Sequence, residues 1–231
     1  MKYNRFIAIG DSFTEGMCDE KRYGQYRGWA EGKVAEFDHG LLRGLTRHPW
    51  RLQCEQYKLS AHLDAALRAQ SSDSVCSSHS VTGLQQDEDG VTLQVQTPQG
   101  ERSLRADWVI AADGGRSTVR HAAGIAFEGF TYPERFIKIA SDFDFQKYRP
   151  EYVYRNYLSD ADEWCNLFKV SGTRPGGLWR TIFPTRLDET EEQALAPEAV
   201  QARLQKFFPK EGSYDVEYVN VYSVSQRVAA S

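Results

Sequence analysis

The chain of 231 residues is long enough for one large domain or two small ones with a real core. Its 41% hydrophobic and 26% charged residues are those of a soluble globular protein. A formal net charge of -4 offers no basic field for a polyanion, so nucleic acid is excluded as an expected partner. No apolar run approaches the roughly 20 residues of a membrane span, which excludes a membrane helix.

The first thirteen residues, "MKYNRFIAIGDSF", hold too short an apolar stretch for a signal peptide. The four cysteines (Cys18, Cys54, Cys76, Cys165) are scattered without a Cys-x-x-Cys pair. That spacing fits neither a zinc site nor a disulfide framework; it suits a reducing cytoplasm, and no metal is expected.

Residues 6–9 form a continuous apolar run, the mark of a strand covered on both faces. Gly10 ends it, with Ser12 or Thr14 placed to cap the next element. Residues 18–28 are charged and glycine-containing, hence loop-like. Residues 29–50 start like a helix, meet Gly32 and Gly40 and stop at Pro49, and a composition break over 34–44 marks an expected join.

From residue 53, "QCEQYKLSAHLDAALRAQ" carries Leu59, Leu63 and Leu67 at intervals of four with Ala66 beside them. One face of a helix is therefore apolar, and Gln56 lies one turn before Leu59 on that face. "GVTLQVQT" alternates strictly, which predicts a half-buried antiparallel strand. A turn at "TPQGE" leads into "RSLRADWVIAA", so a hairpin feeding a buried strand is expected over residues 80–112. That strand runs into Asp113, Gly114 and Gly115, and a short helix closed by Gly124 comes next. Two glycines let a backbone approach a ligand closely. An acid at a strand's carboxyl end faces the crevice where open α/β sheets bind ligands.

Residues 53–124 resemble the flavin-binding half of the FAD-dependent aromatic hydroxylases, the monooxygenases related to p-hydroxybenzoate hydroxylase. That family opens a helix with Gln-x-x-Leu, matched here by Gln56 and Leu59. It also follows an apolar strand with Asp-Gly-x-x-Ser-x-x-Arg, matched by Asp113, Gly114, Ser117 and Arg120. The resemblance continues through "GIAFEGFTYPERF" and covers about residues 48–231. It implies FAD as cofactor, NAD(P)H and O2 as co-substrates, and a small phenolic substrate. Asp113, Gly114, Gly115 and Gln56 would face the flavin nucleotide, with Arg51 as a weaker candidate. Arg120 is left to pair with Asp113, to hold a phosphate or to cap its helix.

The rest of the chain reads as four aromatic, β-rich segments, a helix over "APEAVQARLQKFF" with proline near its start, and a last alternating strand. Tyr152, Tyr154 and Tyr157 suit a phenol pocket or sheet packing, and no catalytic residue is assigned. The expected fold is α/β (α+β): a partial FAD-binding Rossmann-like domain with a β-hairpin, over 45–126, and a mostly antiparallel substrate-domain sheet over 127–231.

Two family parts are absent from the sequence. No Gly-x-Gly-x-x-Gly occurs, and the family's later Gly-Asp motif is matched only by Gly10 and Asp11, at the wrong end. The start "AIGDSFTEGMCD" instead resembles the first block of the SGNH (GDSL-type) esterases, with Ser12 as its nucleophile. No Asp-x-x-His or Gly-x-Asn-Asp block accompanies it, so a base and oxyanion donors are lacking. Residues 1–44 are therefore expected to be a foreign leader on a truncated or chimeric monooxygenase of reduced or no activity. A serine esterase fragment and an inert fragment are the alternatives.

Overall fold

The computed structural model describes residues 24–28, 32–50, 53–71, 75–159, 163–172 and 175–230. In chain order the elements begin with β1 (Gly24–Gly28), β2 (Gly32–Phe37), a 3-10 turn (His39–Leu42) and α1 (Gln56–Arg68). A meander comes next: β3 (Ser80–Asp87), β4 (Gly90–Thr97) and β5 (Gly100–Ala106), then α2 (Thr118–Ala122). The remainder is β6 (Phe127–Ser141), α3 (Phe145–Tyr148), β7 (Arg155–Ser159), β8 (Trp164–Val170), β9 (Leu178–Pro184), α4 (Glu191–Leu195), α5 (Pro197–Phe207) and β10 (Val216–Ala229).

The chain divides into two compact units, one containing Ser60–Phe130 and Gln226–Ser231, the other Thr14–Leu59 and Thr131–Ser225. In the first, β3, β4 and β5 make a three-stranded antiparallel sheet in that order. The alternation of β4 works as its sequence implies, since Val91 and Val95 are buried. Gly129 is required where β6 begins. It sits at φ +124°, and a Cβ there would lie 2.0 Å from the carbonyl oxygen of Gln226.

In the second unit the sheet order is β10-β6-β9-β8-β7-β1-β2, with β1 parallel to β7 and the other registered neighbours antiparallel. One sheet face is the core: Ile137, Ile139, Leu158, Leu167, Trp179 and Phe183 are all buried against α3 and α5. Helix α5 has Pro197 in its first turn, where the missing N–H costs nothing. It turns Val200, Leu204 and Phe207 inward at spacings of four and three. Helix α4 starts with a capping box in which the Thr190 and Gln193 side chains bond each other's backbone. Tyr152 belongs to this core.

Two expectations are corrected here. Residues 29–50, which start like a helix in sequence, instead contribute β2, and its hairpin partner β1 (Gly24–Gly28) falls in the stretch expected to be a loop. Their glycines hide the period, and the order comes from pairing with β7, which local pattern does not encode. The apolar run "WVIAA" is not a strand: Trp108 is 87% and Ile110 73% exposed. An apolar run becomes a buried strand only when neighbours cover its edges and faces, and among the described residues no strand pairs with this one. Among the described residues no helix is long and apolar enough to cross a membrane.

Leu204 is fully buried between α5 and the sheet. Leu204→Ala should lower stability by about 2–5 kcal/mol in urea unfolding, through lost burial and the cavity left behind. A loss below about 1 kcal/mol would mean that α5 does not pack as described.

Candidate functional site

The Asp113-to-Arg120 segment folds as one hydrogen-bonded turn in the first unit. Asp113 Oδ1 accepts from Ser117 Oγ at 2.5 Å, and Oδ2 accepts from the Val119 amide at 3.1 Å. Ser117 caps α2, its Oγ accepting from the Arg120 amide at 2.9 Å, and its own amide donates to Gly114 O at 3.0 Å. Gly114 sits at φ +77°, a conformation only glycine adopts cheaply, and nothing lies within 4 Å of where a Cβ would stand on Gly114 or Gly115. The backbone of the turn is therefore open to close approach.

Partial burial acts to raise the Asp113 pKa, but the Ser117 hydroxyl and the Val119 amide outweigh it and hold the carboxyl below the usual range. Asp113 is thus a carboxylate at neutral pH, with lone pairs left on both oxygens.

The contacts of Arg120 in this structure are local ones. Its Nη1 donates to Gly115 O at 3.1 Å and its guanidinium lies 4.2 Å from the centre of the Phe127 ring. Nη2 is 2.8 Å from His121 Nε2, and since a guanidinium only donates, the imidazole nitrogen accepts. Arg120 Nε is buried without a hydrogen-bond partner among the described residues.

Gln56 opens α1 in the second unit and is exposed. Arg51 lies outside the described residues, as do Gly10, Asp11 and Ser12. The structure therefore gathers Asp113, Gly114, Gly115 and Arg120 into one turn, with Gln56 on a separate helix start.

Sequence reasoning missed the buried polar residues just before that helix start. Gln53 is 2% exposed, and its Nε2 donates to Tyr154 O at 3.2 Å and Lys169 O at 3.4 Å. Glu55 is 4% exposed; its oxygens accept from the Gly172 amide at 2.7 Å and from Ser171 Oγ at 2.8 Å. Lys58 pairs with Glu55 at 3.0 Å and donates to Ser171 Oγ and to Gly172 O. Burial works to raise the Glu55 pKa, but hydrogen bonds from its own backbone amide, from Ser171 and from Lys58 bring it below the ordinary value. The only local signal was an acid three residues before a lysine, too common to single out. Among the described residues no group of acids, histidines and cysteines is placed to hold a metal ion.

Comparison with known proteins gives the class. The model of the FAD binding domain family matches residues 17–231, and the chain belongs to that family. The match begins at residue 17 rather than near His48, so residues 17–44, read as part of a foreign leader, fall inside the flavoprotein match. The chain is 32% identical over 199 residues to para-nitrophenol 4-monooxygenase of a Pseudomonas species, across 85% of this chain and 48% of that protein. It is 34% identical over 148 residues to a 3-(3-hydroxy-phenyl)propionate/3-hydroxycinnamic acid hydroxylase of Mycolicibacterium smegmatis, across 64% of this chain and 25% of that one. The crystal structure of p-nitrophenol 4-monooxygenase from Pseudomonas putida superposes with a TM-score of 0.80 at 32% identity, covering 90% of this chain and 52% of that one. The chain thus spans about half or less of the length of these relatives.

Ser117 is the residue that couples the acid to the helix. In Ser117→Ala the Asp113 pKa should rise toward its ordinary value of about 3.9, read by carbonyl NMR titration. The sign comes from the lowered pKa: the charge's stabilising contribution is present above the unfolded-state value and is lost as pH falls through the folded one. An unchanged Asp113 titration would show that the Ser117 hydrogen bond does not set it.

Proposed function

We propose that the chain is part of an FAD-dependent monooxygenase that hydroxylates a phenolic ring with NAD(P)H and O2. Its most direct support is the Asp-Gly-x-x-Ser-x-x-Arg turn, folded with an ionised acid and an open glycine backbone in a chain of the FAD binding domain family. The similar proteins named above for their activity are aromatic monooxygenases and hydroxylases, which supports a phenol as substrate class.

The turn suits a flavin nucleotide. A carboxylate with free lone pairs accepts hydrogen bonds from hydroxyl groups, as a ribityl or ribose chain would offer. The open Gly114–Gly115 backbone admits a ligand that a Cβ would hold off. In this reading Asp113 binds the nucleotide's hydroxyls and the two glycines set its distance. Arg120 keeps the turn in shape through Gly115. The family resemblance also assigns Gln56 and Arg51 to the nucleotide. FAD, when bound, supplies the oxygen chemistry, while the protein orients the ring and excludes water.

In the same proposal residues 45–126 serve the cofactor and 127–231 the substrate, and the enzyme works in the cytoplasm, where NAD(P)H is at hand. Residues 17–44 are assigned to the flavoprotein fold, leaving the esterase-like motif with Ser12 no supporting partner residues.

Titrating FAD into the purified chain and following flavin fluorescence tests this. Binding should be weak, because the sequence has no Gly-x-Gly-x-x-Gly for the pyrophosphate. Asp113→Ala should weaken it a further tenfold or so, since a hydrogen bond to a charged group is worth about 1.5–3 kcal/mol. No detectable FAD binding, or equal binding by Asp113→Ala, would contradict the assignment.

A further inference from the structure

We propose that Glu55 is a positioning residue for the flavin contact assigned to Gln56: it clamps the first turn of α1 to the chain that follows β8, so that Gln56 is presented from one fixed place. The inference rests on the flavin reading above and adds to it a residue that acts through its neighbour.

Gln56 is the first helical residue of α1, and it is exposed. The leading amides of a helix have no partners within it, so the first turn frays unless something holds it. Here the hold comes from outside the helix. The Glu55 backbone carbonyl accepts from the Lys58 amide at 2.9 Å, which closes the first turn. Its side chain, 4% exposed, reaches away from the helix and accepts from the Gly172 amide at 2.7 Å and from Ser171 Oγ at 2.8 Å.

Lys58 returns to the same two residues. Its Nζ lies 3.0 Å from the Glu55 carboxylate, donates to Ser171 Oγ and donates to Gly172 O at 2.7 Å. Residues 55 and 58 thus grip one stretch of chain from either side of Gln56. Upstream, Gln53 Nε2 holds the carbonyls of Tyr154 and Lys169. The gripped stretch is itself tightly packed. Gly172 sits at φ +59°, and a Cβ there would lie 2.8 Å from Leu178 Cγ. What the clamp contributes to binding is order. A residue that must be immobilised when its ligand arrives lowers affinity by the entropy it loses, and one already fixed does not.

Flavin-fluorescence titration of FAD into the full chain, run as a double-mutant cycle, tests the proposal. Glu55→Gln keeps the side-chain shape and an acceptor for the Gly172 amide while removing the charge. It should raise the FAD dissociation constant about fivefold to tenfold, the scale of ordering one residue. Gln56→Ala should weaken binding by itself, and in that background Glu55→Gln should add no more than about a further twofold. A general structural role would give the same loss in both backgrounds. Should Glu55→Gln fail to fold, Ser171→Ala takes its place; it leaves the Glu55–Lys58 pair intact and should show the same dependence on Gln56. Hydrogen exchange of the Lys58 amide without FAD reads the clamp alone and should quicken about tenfold in either variant.

If Gln56→Ala weakens FAD binding while Glu55→Gln and Ser171→Ala bind as the wild type does, the proposal is overturned and the flavin reading stands. A loss undiminished in the Gln56→Ala background, or unchanged Lys58 exchange, overturns it equally. Binding that Gln56→Ala leaves unaltered overturns it too, and binding that Asp113→Ala also leaves unaltered overturns the flavin reading with it.

Discussion

One carboxylate organises the part of this chain that faces a cofactor in the proposed reading. Asp113 draws the Ser117 hydroxyl to one oxygen and the Val119 amide to the other. Ser117 in turn caps α2 and closes the loop onto Gly114. Without that carboxylate the Ser117 hydroxyl and the Val119 amide would need other partners. The acid is thus structural before it is functional: it builds the turn that presents it.

The second unit rests on a similar device, placed deeper. Glu55 is buried and compensated by Lys58, Ser171 and the Gly172 amide, and Gln53 spans the carbonyls of Tyr154 and Lys169. A buried acid without such partners would cost several kcal/mol. The chain just before α1 is therefore pinned to the ends of β7 and β8, and Gln56 leaves from a fixed point. The aromatic core of Phe145, Trp179, Phe183 and Phe207 supplies the frame behind that point.

The sequence was legible wherever local pattern and tertiary demand agree. The leucine spacing located α1, although its leucines stay at least partly exposed and none of its residues is buried. The alternation of Val91, Leu93 and Val95 located β4, and the Pro197 helix and the aromatic strands stand where the sequence places them. The Asp113 turn was legible because its spacing is itself the hydrogen-bond pattern: an acid, a serine four residues on and an amide six residues on. The illegible parts depend on information stored elsewhere in the chain. β1 and β2 contain glycines at both ends of their hairpin and take their order from β7. Two of the Glu55 partners, Ser171 and the Gly172 amide, lie more than a hundred residues away. "WVIAA" misled because apolar character marks a strand's requirement, whereas pairing decides whether it forms.

Family membership and the Asp113 geometry meet in one claim, that the turn is built to receive the flavin nucleotide. Amide NMR on the isotope-labelled chain tests it at the residues concerned. Adding FAD should shift the Gly114, Gly115 and Val119 amides saturably, and Asp113→Asn should remove the response while the rest of the spectrum keeps its dispersion. Saturable shifts confined to other regions, with those three amides unmoved, would contradict it.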